Sequence, residues 1–274
     1  MAAGVAFYGF LAMAPLIASL VLIYGLIVEP EEVVGHVQAL GELAPTAAAG
    51  VIEELLRNAA DAADGKRGLG LVLALGLAVF GGMKGAGAII TALNVVYEEQ
   101  ESRGLIRLNL ARAAVTVGAL ALGLCSLLAA SLTGVMERLS TDMGVVADLI
   151  RIGGWLATAA LASAFVAALY RYAPDRDEAR WAWLTPGAIV ATLGIIGANA
   201  GFGLYAANLG KFDATYGSLG AIVALLTWLY FSSYILLLGA ELNAELEHQT
   251  ARDTTEGAEV PMGSRNAVMA DTVA

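Results

Sequence analysis

Histidine and cysteine are nearly absent from this chain, and their scarcity removes most catalytic and metal-binding chemistry. Cys125 is the single cysteine among 274 residues, so one chain cannot build a disulfide or a thiolate metal site. His36 and His248 are the two histidines and lie far apart in sequence. A hydrolytic nuclease needs a metal cluster or a paired acid and base, often histidine. The sequence therefore predicts no catalytic residue, no metal site and no cofactor.

Clustered basic residues are missing as well. The chain carries 15 Lys and Arg against 25 Asp and Glu, which gives a net charge of −10 at pH 7. Binding to nucleic acid depends on patches of Lys and Arg, so a nucleic-acid partner is excluded. The phosphate loop GxxxxGK[ST] is also absent from the sequence, which argues against a primary pump. Any transport is predicted to be driven by a gradient or to be passive.

Long apolar runs dominate what the sequence does contain. Hydrophobic residues make up 58% of the chain and charged residues 15%. A helix of about 20 residues crosses the roughly 30 Å hydrocarbon core of a bilayer. Six apolar runs have about this length, and they cover residues 5–28, 69–93, 105–134, 149–170, 183–207 and 219–240. The sequence predicts an all-α membrane protein in which residues 1–248 form a single bundle of six transmembrane helices.

Two segments lie outside these runs. Residues 30–68 follow the first run, and there Val51, Ile52, Leu55 and Leu56 recur at helical spacing. This pattern predicts an amphipathic extracytoplasmic helix, which either caps an external vestibule or lies on the membrane surface. Residues 249–274 mix small and polar residues without periodicity, which predicts a disordered cytoplasmic tail.

Arginine and lysine are unevenly distributed between the short loops, and this distribution predicts orientation. The short loops that carry more positive charge face the cytoplasm. The loops after the second and fourth runs hold Arg103, Arg107, Arg112, Arg171, Arg176 and Arg180. Those after the third and fifth runs hold Arg138, Arg151 and Lys211. Both termini are therefore predicted to be cytoplasmic.

Polar side chains inside the apolar runs, or at their ends, are the candidate functional residues. Lys84, in FGGMKGAGA, lies well inside the second run, where a cation costs several kcal/mol unless it is paired or hydrated. Arg112 lies in the third run, and Glu241 directly follows the sixth. The alternative for Lys84 is a structural ion pair inside the bundle. The predicted substrate or ion pathway also includes Asn94, Asn199 and Asn243. Interhelical hydrogen bonds are the alternative for Asn94 and Asn243, and close helix packing is the alternative for the face that carries Asn199.

Four motifs follow one another along the chain. They are AFYGFLAMAPLI from Ala6, ALNVVYEEQESR from Ala92, YRYAPDRDEARWAWLTPGAIVAT from Tyr170, and YGSLGA with GAELNAE in the last run. Together they resemble the YihY/BrkB family of bacterial inner-membrane proteins. The resemblance implies a six-helix protein of the bacterial cytoplasmic (inner) membrane. The family's historical label, ribonuclease BN, conflicts with the scarcity of histidine and basic residues.

Three hypotheses about function follow. The first is a transporter or flippase of a small solute, an ion or an envelope lipid, and it predicts a polar cavity around Lys84. A lysine that faces lipid or a dry, closed core would remove most of that support. The second is a structural or scaffolding membrane protein of the cell envelope, and the third, least favoured, is a membrane-bound ribonuclease. The expected partners are the bilayer and a solute or lipid substrate, and homo-oligomerisation stays open.

Overall fold

The structure is a computed structural model that describes residues 1–24, 69–139, 144–209 and 218–273. Six long helices in these ranges are each long and apolar enough to cross a membrane. They are α1 (Ala2–Tyr24), α2 (Leu69–Val96), α3 (Leu105–Leu139), α4 (Gly144–Tyr172), α5 (Trp181–Leu209) and α6 (Ser218–His248). A short helix, α7 (Val268–Asp271), follows in the tail. The predicted all-α bundle of six spans is confirmed.

The predicted amphipathic helix between the first two spans, in residues 30–68, lies outside the described residues.

The six helices pack in chain order and close into a ring. Each long helix contacts the next one along the chain, and α6 packs against α1 to complete the circle. Only a minor share of each span is buried, from 17% to 39%. Large apolar side chains such as Leu77, Leu110 and Leu193 remain exposed on the helices, as expected for surfaces that meet hydrocarbon. The buried core of the bundle is therefore small, and most of the apolar surface of the helices is available to lipid.

The α2–α3 connection is shaped by a left-handed residue two positions after the end of α2. Glu98 has φ of 56°, and the Glu99 amide donates to the Asn94 carbonyl while the Glu98 amide donates to Val95. These two bonds satisfy the last carbonyls of the helix in a Schellman arrangement. The chain then turns sharply instead of continuing the helix.

Helices α5 and α6 touch backbone to backbone near the motif GAELNAE. A Cβ atom placed on Gly187 would clash with the Gly239 carbonyl, and one on Gly239 would lie 2.5 Å from the Gly187 carbonyl. Beside this contact, Asn243 Oδ1 accepts a 2.8 Å bond from the Gly187 amide, and Asn243 Nδ2 donates to the Leu184 carbonyl. The bonds meet the backbone on either side of Pro186, the proline inside α5, which lacks an amide hydrogen. The motif thus locks α6 onto α5.

The tail departs from the disorder expected for residues 249–274. Arg265 is 5% exposed, and its guanidinium donates to carbonyls of residues before and after it in the tail: Ala251, Arg252, Val260 and Ala270. The Asp253 carboxylate accepts bonds from the Thr255 and Val260 amides. Such side-chain-to-backbone bonds order turns without any hydrophobic periodicity. The search for hydrophobic periodicity in the sequence therefore does not reveal that the tail is ordered.

The folded tail is attached to both connections at the same end of the bundle. The Val268 amide donates to Glu99 Oε1 in the α2–α3 connection. The Asp177 amide donates to the Asn266 carbonyl, and Ala179 forms an isolated antiparallel bridge with Thr255. The tail thus fastens the α2–α3 and α4–α5 connections to each other.

The docking of the tail is expected to depend on pH through Asp253. Burial alone would raise the pKa of Asp253, but hydrogen bonds from Thr255 and Val260 and the charge of Arg265 outweigh it and lower the pKa to about 2. Because these partners all belong to the tail, the pKa is lowered when the tail folds. The stabilisation of the folded tail is complete above the ordinary value of 3.8 and is lost as the pH falls towards about 2.

The variant Asp253→Asn imitates the protonated state at neutral pH. We expect it to speed amide hydrogen exchange in residues 250–273 by tenfold or more, because a bond to a charged group contributes about 1.5–3 kcal/mol. Glu259→Gln removes a charge from an exposed position of the same tail and is expected to leave exchange unchanged. Equal exchange rates in the two variants would contradict a role of Asp253 in docking.

Candidate functional site

A groove between α1, α2 and α3 is the candidate functional site. Its volume is about 440 Å³. It is lined by Met1, Gly4, Val5, Tyr8, Met83, Lys84, Gly87, Ala88, Thr91, Ala92, Val95 and Arg112. The groove contains two of the predicted site residues, Lys84 from α2 and Arg112 from α3, and no carboxylate is among its lining residues.

Lys84 lies deep in the membrane-spanning part of α2. It precedes the last residue of this helix, Val96, by twelve positions, which corresponds to roughly 18 Å along the axis. Among the described residues, Lys84 has neither a hydrogen-bond nor an ion-pair partner. A lysine at this depth is costly unless water or an anion accompanies it.

Arg112 lies against the α2 backbone at Gly87. A Cβ atom at Gly87 would lie 3.0 Å from Arg112 Nε, so the absent side chain makes room for the guanidinium. Arg112 Nη1 donates to Asn109 Oδ1 at 3.2 Å, whereas Nε is buried and has no hydrogen-bond partner among the described residues. The guanidinium therefore keeps donor capacity for another group.

The groove opens on the outer surface of the ring. Leu77, Phe80, Lys84, Thr91 and Val95 recur at intervals of three, four and seven residues and so share one face of α2. All five are exposed, and Phe80 remains 64% accessible. Lys84 thus faces a lipid-facing side of the ring and not an enclosed polar cavity, which removes most of the support for the transporter hypothesis. An open groove remains compatible with the movement of a lipid whose headgroup enters it from the side.

Glu241 does not join this groove. It is exposed on α6 and forms no ion pair with Lys84 or Arg112 in the described part of the chain. The sequence correctly places these residues in or next to apolar runs, but depth alone does not fix which way a side chain points around its helix. Glu241 therefore lies apart from the two cations with which the sequence groups it in one candidate pathway.

The three predicted asparagines all take part in hydrogen bonds that hold the bundle together. Asn94 accepts a bond from the Asp175 amide and donates to Glu101. Asn199 accepts a 2.6 Å bond from Trp228 Nε1 and so joins α5 to α6. Asn243 joins the same two helices at Gly187. None of the three lines the groove, so their observed contacts match the structural alternative.

A buried ion pair that the sequence analysis did not single out lies at the end of the bundle near the tail. Arg176 Nη2 is 2.6 Å from Glu247 Oε2, and the side chains are 2% and 0% exposed. Thr254 of the tail donates to the same carboxylate oxygen. The Arg176 guanidinium lies 5.0 Å from the centroid of the Tyr97 ring. Because these contacts pair both charges, we interpret the ion pair as stabilising the fold. Arg176 lies in the motif APDRDEAR and Glu247 lies two residues after the motif GAELNAE, and nothing in either segment singles out these two residues as partners.

Neighbouring charges in the two connections are paired as well. The Arg103 guanidinium, hydrogen-bonded to Glu101 at 2.7 Å, lowers the pKa of that carboxyl. Burial would raise the pKa of Asp175, but hydrogen bonds from Ser102 outweigh it and lower the pKa. Among the described residues, no group of three His, Cys, Asp or Glu side chains is placed to hold a metal ion. The connections thus form a network of paired charges, in contrast to the cations of the groove.

Six apolar helices around a small buried core define the protein as a polytopic α-helical membrane protein. The family model described as "Virulence factor BrkB" matches residues 1–262. The chain belongs to this family. No solved structure matches it.

Relatives of the chain carry either a membrane-protein or a ribonuclease-like name. The putative ribonuclease-like protein YfkH of Bacillus subtilis is 30% identical over 252 residues, which cover 89% of this chain and 88% of YfkH. A UPF0761 membrane protein of Rhodospirillum centenum is 31% identical, with 67% of this chain and 40% of the relative covered. A UPF0761 membrane protein of Laribacter hongkongensis is 29% identical, with 90% and 57% covered. The chain thus spans only about half the length of the latter two proteins.

Proposed function

We propose that the protein is a passive or gradient-driven flippase that moves the polar headgroup of an envelope lipid along the groove between α1, α2 and α3. The single observation that carries this proposal is the presence of Lys84 and Arg112 in a groove that opens to the lipid-facing side of the ring. A lipid can place its headgroup in such a groove while its acyl chains stay in the surrounding hydrocarbon.

The free energy of a charge in hydrocarbon explains why a groove of this kind would speed lipid movement. A charged group at the bilayer centre costs at least about 2.5–3.5 kcal/mol. Lys84, Arg112 and the exposed Thr91 provide polar contacts over part of this distance. The polar lining would therefore lower the barrier that the headgroup meets when it crosses. An open groove favours lipid over a free solute, because a solute path needs walls on all sides.

Two further features belong to this proposal. We place the protein in the bacterial inner membrane, as its resemblance to the family implies, and we place both termini in the cytoplasm on the basis of the arginine distribution between the loops. Lipid movement needs no catalytic residue, so the proposal makes the protein a non-enzyme. The word ribonuclease in the name of YfkH is not carried over to this chain.

Lipid flipping can be measured in liposomes that contain the purified full-length chain. A lipid with a fluorescent label on its headgroup is bleached by external dithionite only in the outer leaflet, so bleaching beyond about half of the signal reports flipping. We expect wild type to flip the lipid and Lys84→Ala to slow flipping by tenfold or more, because a charge-assisted contact contributes about 1.5–3 kcal/mol. Glu241→Gln, which changes a residue outside the groove, is the matched control and should retain the wild-type rate.

Two results would contradict the flippase proposal. Equal flipping by wild type, Lys84→Ala and Glu241→Gln would exclude the groove as the path. No flipping in wild type, with monodisperse protein in every preparation, would favour a structural or scaffolding role in the envelope. Parallel flux measurements with small ions and solutes would reveal a transporter that does not move lipid.

A further inference from the structure

We propose that Lys84 and Arg112 form a binding site for a phosphate-type anion, either the phosphate of a lipid headgroup or free phosphate. The inference rests on the proposed function and specifies the chemical class that the groove takes.

Arg112 has unfilled hydrogen-bond donor capacity. A guanidinium has five N–H donors in a rigid fork, and in Arg112 the described contact is the bond from Nη1 to Asn109. Nε is buried without a partner, which is unfavourable for a polar group. An anion in the groove would accept from the unfilled donors and remove this penalty.

The lining of the groove is positively charged. Lys84 and Arg112 come from different helices, and no carboxylate lines the groove to neutralise them. This differs from the charges in the connections, where Arg103, Arg171 and Arg176 are each paired with a carboxylate. Two unneutralised cations in one groove favour an anion over a neutral or cationic ligand.

The shape of a phosphate group suits a site whose donors come from two helices. Phosphate presents several acceptor oxygens in different directions, so one group can bond with the Arg112 fork and with an ammonium from another helix. A carboxylate has two oxygens in one plane and is less suited to bridging donors on two helices. Gly87 leaves room for the guanidinium beside the α2 backbone, because a larger residue would crowd Nε.

Lipid binding to the full-length chain in detergent, measured by native mass spectrometry, tests this site. The probes are phosphatidylglycerol, diacylglycerol without an anionic group, and oleate as a carboxylate amphiphile. We expect phosphatidylglycerol to bind at least tenfold more tightly than either of the others. Inorganic phosphate is then added as a competitor. Displacement at millimolar concentration identifies free phosphate as a ligand, whereas retention identifies the lipid headgroup.

Three variants connect this binding to the groove. Arg112→Gln and Lys84→Gln are each expected to weaken phosphatidylglycerol binding about tenfold. Arg107→Gln removes an exposed cation five residues before Arg112 on the same helix and should change binding less than twofold.

Gly87→Ala keeps every charge but crowds Arg112 Nε, and it should weaken binding about threefold or more. This variant tests the site without removal of a cation, so it still gives a result if Arg112→Gln or Lys84→Gln fails to fold. Equal binding of oleate or diacylglycerol would overturn the proposal, as would wild-type affinity in Arg112→Gln and Gly87→Ala. The binding result is separate from transport. Selective binding without flipping would overturn the proposed function alone, and flipping without selectivity would overturn the anion site alone.

Discussion

Replacement of Glu247 by alanine is expected to lower the free energy of unfolding by about 3–5 kcal/mol, because it leaves Arg176 as an unpaired buried charge. The two side chains are 0% and 2% exposed and meet at 2.6 Å. Thr254 also loses its acceptor, so the tail should detach more easily. Unfolding of the purified protein in mixed micelles with increasing SDS measures the loss.

Glu245 provides the matched control for this prediction. It lies two residues earlier on α6 and is exposed, so Glu245→Ala should change the unfolding free energy by no more than about 0.5 kcal/mol. The double variant Arg176→Met with Glu247→Leu should recover part of the lost stability, since replacing both charges removes the uncompensated one. A similar stability of the Glu245 and Glu247 variants would disprove the buried-pair interpretation.

The second large effect is expected from Gly187→Ala. The added methyl group would clash with the Gly239 carbonyl and with Asn243 Oδ1. Neither atom can withdraw easily, because one belongs to a helix backbone and the other accepts the Gly187 amide. Overpacking of this kind costs about 3 kcal/mol, and we expect a lower thermal midpoint together with loss of monodisperse protein after heating.

Gly197, ten residues later on α5, has open space where a Cβ would be placed. Gly197→Ala should therefore raise the stability by about 0.5–1 kcal/mol, since alanine favours a helix more than glycine does. If both alanine variants behaved alike, the close α5–α6 contact would not be a determinant of stability.

The sequence predicts the six helices well because hydrocarbon imposes a length and a composition on each span. Lys84 and Arg112 are found for the same reason, since charge is conspicuous inside an apolar run. The direction of each side chain around its helix comes from interhelical packing, which hydropathy does not encode. For that reason the sequence groups Glu241 with the two cations in one candidate pathway, whereas in the structure it lies apart from them.

The residues at the end of the bundle were harder to predict, because their roles depend on contacts between distant parts of the chain. Glu245 and Glu247 lie two residues apart on α6, yet only Glu247 is buried. The distinction arises from Arg176, 71 positions away in sequence. Arg265 likewise has partners throughout the tail, and no periodic pattern reveals them. The tail therefore looked disordered in sequence although its polar residues hold it in place.

The contact between Gly187 and Gly239 also limits how this protein can move. Two helices whose backbones touch, and which Asn243 joins by two hydrogen bonds, cannot slide past each other without breaking both bonds. The α5–α6 pair is therefore a fixed frame, and any widening of the groove has to come from displacement of α1, α2 or α3. A disulfide engineered between α5 and α6 should consequently leave lipid movement intact, whereas one that joins α1 to α3 across the groove should stop it.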